Sequence, residues 1–366
     1  MSTKQKKKSE NDIFFDTKFW IGIGIFLILV ILICFFPYWL TSDSIFDRNF
    51  TNTGPIGDTI GGIMGPFIAI IASGLTFIAF WAQYKANLKQ TEQFNIQADD
   101  VKIERFESKF YEMIKIHRDN ITEISISKGT IVKRKAFISM FLELKCAYYV
   151  LKKLNDSGKI DKIEKEEDII NIAYIAFFTG VGDNSNKVAK YLLERYNQGM
   201  IDIYLNELLK LKEYFNEEIQ ILDPPNNFGN FSSTFEKRKR ITVNYNNISI
   251  NFMSYPPFNG HMSRLGHYYR HLFQTVKFVV NNEFSKVKKE NKTIKYNYLK
   301  TLRAQLSDYE MLLLYYNSLS DLGSAWIEEN YFTDWKFIKN IPLPLADFGI
   351  TPIEKLGDFN SPFVTE

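Results

Sequence analysis

The sequence predicts a mainly α protein: an N-terminal two-helix transmembrane hairpin followed by an all-α-type cytoplasmic helical domain with a small β-hairpin. Three observations predict it. Two long uncharged runs lie near the N-terminus, segments with helical apolar spacing follow them, and one short stretch alternates strictly between apolar and polar residues.

The first run, residues 19–40, passes about 22 residues without a charge, enough at about 1.5 Å per residue to cross a hydrocarbon layer about 30 Å thick. Trp20 stands at one end and Tyr38 and Trp39 at the other, where amphipathic rings favour the headgroup level. A cleaved leader would be shorter, and no small-residue cleavage site follows Leu40. The second run, residues 59–84, is richer in small residues. Gly61, Gly65, Ala69 and Ser73 recur every fourth residue and form a stripe that another helix backbone can approach closely, either the first span or a second protomer. Pro66 sits one turn in and requires neighbours to satisfy the freed carbonyl. Lys4, Lys6, Lys7, Lys8 and Lys18 precede the first span, and Lys85 and Lys89 follow the second. The intervening loop holds one Arg against Asp43, Asp47 and Asp58. Cations flank the cytoplasmic side, so both termini are expected inside, in a multi-pass protein whose first partner is the lipid bilayer.

After the membrane, residues 83–121 lack Pro and Gly and place Tyr84, Leu88, Val101, Phe106, Phe110 and Met113 among charges, as a long helix would. Further helices are expected over residues 134–154, 166–178, 187–221, 261–282 and 296–320, with loops at 180–186 and 223–230. Ile241, Val243 and Tyr245, then Ile248, Ile250 and Phe252, alternate around Asn246 and Asn247, predicting a β-hairpin with a tight turn. The organisation is therefore a basic N-terminus (1–18), the hairpin (19–84, spans 19–40 and 59–84), a juxtamembrane helix (85–121), the helical domain (122–340) and a Pro-rich irregular tail (341–366).

Composition narrows the chemistry. A net charge of +3 is too small to argue globally for nucleic acid. Aromatic residues make up 16 %, large buried area for helix packing and membrane alike. The two cysteines, Cys34 in the first run and Cys146 in an amphipathic cytoplasmic segment, cannot meet, so no disulfide framework is expected.

Three of the four histidines crowd into residues 260–279. At helical spacing Arg264, His267, Tyr268 and His271 share one face, beside an apolar face of Leu265, Tyr269, Leu272, Val276 and Val280. A guanidinium can fork onto a phosphate while an imidazole takes the proton of a ribose 2′-OH, which is metal-independent RNA cleavage. Arg264 and His271 resemble the Arg-x4-6-His signature of HEPN ribonucleases, with His267 as a partner; RNA would then be the substrate. The plainer reading is a polar face hydrogen-bonded to neighbouring elements. A metal held by His267 and His271 is least supported, because no cysteine or carboxylate cluster accompanies them; no metal and no cofactor are expected. Lys237, Arg238, Lys239 and Arg240 could meet nucleic-acid phosphates or lipid heads, or form a solvated turn. Residues 180–186 look glycine-rich like a phosphate loop but lack the preceding strand and the Gly-Lys-Ser, so an interhelical loop is expected. His117 and Arg118 read as surface residues of the juxtamembrane helix.

Four stretches resemble the putative phage abortive infection protein family of bacteria: Phe80–Trp81–Ala82–Gln83–Tyr84 with the Gly-rich run before it, then residues 105–120, 260–279 and 302–317. The resemblance implies a host-protective role at the bacterial inner membrane, in which an infected cell is arrested or killed before the phage matures. It carries no catalytic residues over. Two modes of action are open: an effector endoribonuclease, or a non-enzymatic sensor that disrupts the membrane through its hairpin, with homo-oligomerisation through the second span and a phage-derived trigger.

Overall fold

Segments with apolar residues three or four apart fold as helices throughout the computed structural model, which describes residues 17–41, 53–126, 129, 131–222, 241–245, 248–252, 257–357 and 359–361. The chain divides into two units, Met1–Val101 and Lys102–Glu366.

The first unit is built from helix α1 (Thr17–Thr41) and the leading part of helix α2 (Thr53–Glu123). Among the described residues, α2 is the helix long and apolar enough to cross a membrane, with none of its most apolar window buried inside the protein. The described apolar part of α1, Trp20–Phe35, is shorter. Phe77 and Phe80 are each more than 70 % exposed, and Ile68, Ile70 and Leu75 more than half. A core helix would hide these side chains, whereas lipid is the solvent that suits them. The hydroxyls of Ser73 and Thr76 donate back to the carbonyls of Ala69 and Ala72, both at 2.8 Å, so α2 leaves neither unsatisfied in apolar surroundings. The two helices approach where Gly74 lies against the Phe26 ring; a Cβ on Gly74 would sit 3.0 Å from it. Gly61, Gly65, Ala69 and Ser73 are exposed instead, and a Cβ on either of the two glycines would meet nothing within 4 Å. Of the two partners expected for that stripe, α1 packs on another face.

In the second unit the last turns of α2 lead into a short antiparallel ladder, β1 (Ser125–Ile126) with β2 (Ile131–Val132), and then helix α3 (Arg134–Asp156). Helix α4 (Glu166–Thr179) is apolar on every side and buried from Ile169 to Thr179, which makes it the core helix against which α3 packs. Its first turn carries Glu166, Glu167 and Asp168, favourable at a helix N-terminus. Each acid finds a partner on another segment: Glu166 with Lys152 at 2.6 Å, Glu167 with Lys355 at 2.6 Å, and Asp168 with the Tyr196 hydroxyl at 2.8 Å.

Helices α5 (Asp183–Leu192) and α6 (Gln198–Leu222) replace the single helix expected over 187–221. Asn197 explains the break, since its side-chain oxygen accepts the N–H groups of Gly199 and Met200 and starts a new helix. Strands β3 (Ile241–Tyr245) and β4 (Ile248–Phe252) form the expected antiparallel hairpin, pairing Ile241 with Phe252 and Tyr245 with Ile248. Helix α7 (Met262–Asn281) follows, then α8 (Lys288–Arg303) and α9 (Asp308–Ser318) in place of the one helix expected over 296–320. Here Ser307 and Glu310 form a capping box, a local helix start that outweighs the continuous apolar spacing.

A short α10 (Ala325–Glu328), a 3-10 turn (Leu343–Leu345) and α11 (Pro352–Leu356) are the last elements among the described residues. The described residues after Ile341 are mostly irregular yet held to the core. Phe348 stacks on Tyr316 with centroids 4.1 Å apart, and the Tyr316 and Tyr315 hydroxyls donate to the carbonyls of Phe348 and Ile350.

The segment leading into α7 is fixed by two glycines. Val181 N–H donates to Phe258 O and His261 N–H to Phe178 O, so the backbones of the α4 end and the 258–261 turn lie side by side. Gly180 and Gly260 both have φ of 80°, and a Cβ on Gly260 would come within 2.4 Å of the Thr179 carbonyl oxygen. Gly158 has a similar φ, 67°, with nothing within 4 Å of its would-be Cβ. Gly158→Ala is therefore expected to cost about 1 kcal/mol from conformation alone, and Gly260→Ala about 3 kcal/mol or more because collision is added. Comparing the thermal unfolding midpoints of the two variants checks this; equal shifts would remove the close-approach account.

Candidate functional site

Phe106, Phe110, Ile114, His117 and Ile121 are buried along one side of α2, at spacings of three and four residues. His117 is fully buried, which corrects its reading as a surface residue: its place in that stripe puts it inside. Arg118, one residue on, stays exposed.

Facing His117 on α7 are Tyr268 and His271. The His117 and Tyr268 rings are 5.1 Å apart, and His117 and His271 stack at 6.4 Å with 19° between planes. None of the four imidazole nitrogens has a hydrogen-bond partner among the described residues. Burial, then the His271 ring and the Arg134 charge, pull the His117 pKa down to about 4. Burial also lowers that of His271. At neutral pH the pair is uncharged.

Beneath this pair sits a buried carboxylate. Tyr268 donates its hydroxyl to Glu310 Oε1 at 2.8 Å, while Glu310 Oε2 accepts the Ser307 N–H at 2.8 Å and the Ser307 hydroxyl. Arg134 of α3 places Nε 3.5 Å from the same oxygen and donates through Nη2 to the Gln305 carbonyl at 2.7 Å. Glu310, with no exposure at all, thus holds α3, α7 and the start of α9 together. Burial and this carboxylate raise the Tyr268 hydroxyl well above its ordinary pKa, keeping it a donor.

The other members of the predicted polar face are dispersed. Arg264 donates through Nε to the Ser125 carbonyl of β1 at 2.5 Å and through Nη1 to Gly260 O at 3.0 Å. His267 is exposed, with Nδ1 3.5 Å from Arg270 Nη2. His271 turns to His117, seven residues of helix or about 10 Å of rise away from Arg264. Tyr268, placed on the polar face by helical spacing, is fully buried. No group of three or more His, Cys, Asp or Glu able to hold a metal occurs among the described residues. Lys237, Arg238, Lys239 and Arg240 lie outside the described residues.

A second buried polar group holds the 258–261 turn. Glu143 Oε1 accepts the Phe258 N–H at 2.7 Å and lies 3.1 Å from His261 Nε2, an ionic distance without hydrogen-bond alignment. Lys212 reaches the carbonyls of Val181 and Phe258 from α6, its pKa lowered by burial. Nearby, burial and the Glu143 charge push the Cys146 thiol far above its ordinary value, so it is an inert packing residue.

Residues 260–345 match the family described as "Putative phage abortive infection protein". The match spans the third and fourth of the stretches that carry the resemblance and contains Arg264, Tyr268, His271 and Glu310. It supports anti-phage defence as the broad role. No curated protein and no solved structure matches the chain.

The buried histidines have a pH consequence. The folded state holds His117 neutral down to about pH 4, whereas the unfolded chain takes a proton near 6.5. The unfolded state binds more protons between those values, so stability is complete above about pH 6.5 and falls as pH drops towards 4, by about 3 kcal/mol from this group. His117→Phe is expected to flatten that part of the stability profile while leaving the midpoint at pH 7.5 within a few degrees. An unaltered acid slope in the variant would assign the effect elsewhere.

Proposed function

We propose, from the match of residues 260–345 to the phage abortive infection family, that this chain is a membrane-anchored defence protein whose cytoplasmic helical domain acts on the bilayer through α2. The observation that carries the reading is the continuity of α2: one helix from Thr53 to Glu123 holds both the exposed apolar segment and the buried stripe that ends against α7. A shift of α7 against His117 then acts on the helix whose leading part carries the exposed apolar segment. Helix α1 completes a hairpin in the bacterial inner membrane with both termini inside, and the unoccupied stripe of Gly61, Gly65, Ala69 and Ser73 supplies contact between protomers. The trigger is a phage product.

Gln97 is exposed in the polar middle of α2. Gln97→Pro, which interrupts a helix at a cost of about 3 kcal/mol, is expected to abolish both phage protection and the early collapse of membrane potential while the protein still fractionates with membranes. Gly65→Leu is expected to do the same through the stripe. Full protection in Gln97→Pro would remove the reading.

Metal-independent RNA cleavage by the domain is the second reading, favoured by the two neutral imidazoles stacked side by side. Against it, the ring nitrogens are buried and Arg264 is held by two carbonyls, so a phosphodiester reaches neither without an opening of the domain. His271→Ala separates the two: RNA decay that precedes depolarisation and disappears in this variant would put cleavage first.

A further inference from the structure

Where α2 ends and α3 begins, a cleft of about 500 Å³ is lined by Arg118, Ile121, Thr122, Val132, Lys133, Arg134 and Lys135. Four of these seven residues are cations and none is an acid. Helix α3 starts there without a side-chain cap and without an acidic residue in its first turn, and it carries Arg134 and Lys135 where the helix dipole disfavours positive charge. Like charges gathered from two chain segments around one concavity, at the positive end of a long helix, make that concavity attractive to an anion. Arg134 is already held in place by Glu310 and Gln305 O, which leaves its guanidinium oriented at the wall of the cleft. Arg118, Lys133 and Lys135 make no ion pair among the described residues. Val132, 39 % exposed, adds apolar surface beside them, while Ile121 is buried. Lys133 itself adopts φ 57° and ψ −139°, a conformation suited to glycine.

We infer that this cleft binds a small phosphate ester of nucleotide size. The volume suits a molecule of that class, the cations meet its phosphates, and the exposed Val132 side chain meets its base or ester group. The site goes beyond the mode of action proposed above: it shares Ile121 with the buried stripe of α2 and Arg134 with the Glu310 cluster, and it includes neither the stacked histidines nor the membrane segment.

The test uses full-length protein in phosphatidylcholine nanodiscs, with pyrophosphate, AMP and a 12-nucleotide single-stranded RNA as probes at constant ionic strength. Pyrophosphate and AMP are expected to raise the unfolding midpoint by several degrees, and combining Arg118→Gln with Lys135→Gln to weaken their binding at least tenfold. Lys133→Gly removes a charge while relaxing the backbone, so it should weaken binding several-fold yet leave the probe-free midpoint unchanged or higher. That outcome separates lost recognition from lost folding. A response that vanishes when phosphatidylglycerol is added to the discs upholds the phosphate chemistry and assigns its source to lipid headgroups. No response to either small probe, a response undiminished in Lys133→Gly and in the double variant, or binding confined to the RNA would each overturn the inference.

Discussion

The second unit depends on one buried carboxylate. Glu310 is wholly enclosed, and an ion in that position is tolerable only when its oxygens are met by donors from several directions. Ser307 supplies two from the same chain segment, Tyr268 one from α7, and Arg134 a charge from α3. The same residue therefore begins α9 and ties it to two other helices, so a local capping preference and a long-range contact reinforce each other.

Around that point, the aromatic richness of the chain becomes a packing strategy. Phe273, Trp326, Tyr331, Phe332 and Phe337 pack edge-on and stacked among α7, α10 and the segment after it. Tyrosines serve twice, filling volume with the ring and tethering irregular backbone with the hydroxyl, as Tyr315 and Tyr316 do for the C-terminal segment. Buried asparagines act similarly: Asn171 of α4 donates to Asp321 and Tyr196 and accepts the Asp321 N–H, fixing the turn after α9.

Helix positions were legible wherever apolar spacing was unbroken, as in α3, α4 and α7, and the β3–β4 hairpin was legible from strict alternation. The breaks at Asn197 and Ser307 were hidden because capping is a side-chain event superimposed on an apolar pattern that continues across it. Ser307 followed three residues later by Glu310 is nonetheless a readable signature of a helix start. The candidate site was half legible. The clustering of histidines pointed to α7, but the second member of the imidazole pair comes from α2, more than a hundred residues earlier, and one sequence carries no record of that pairing. His117 betrayed itself only through its spacing with Phe110, Ile114 and Ile121. Arg264 shows the limit of spacing, which tells which face a side chain shares, here the polar face that was expected to hydrogen-bond to neighbouring elements, and is silent about the β1 carbonyl to which it donates.

Cys146 gives the chain an unplanned sensor of its own opening. With its sulfur enclosed between α3 and its neighbours and held as the unreactive thiol, an alkylating reagent applied to the folded protein has only Cys34 to modify. A second adduct on the unaltered sequence would then date the moment at which the domain interior parts, without any engineered label to disturb it.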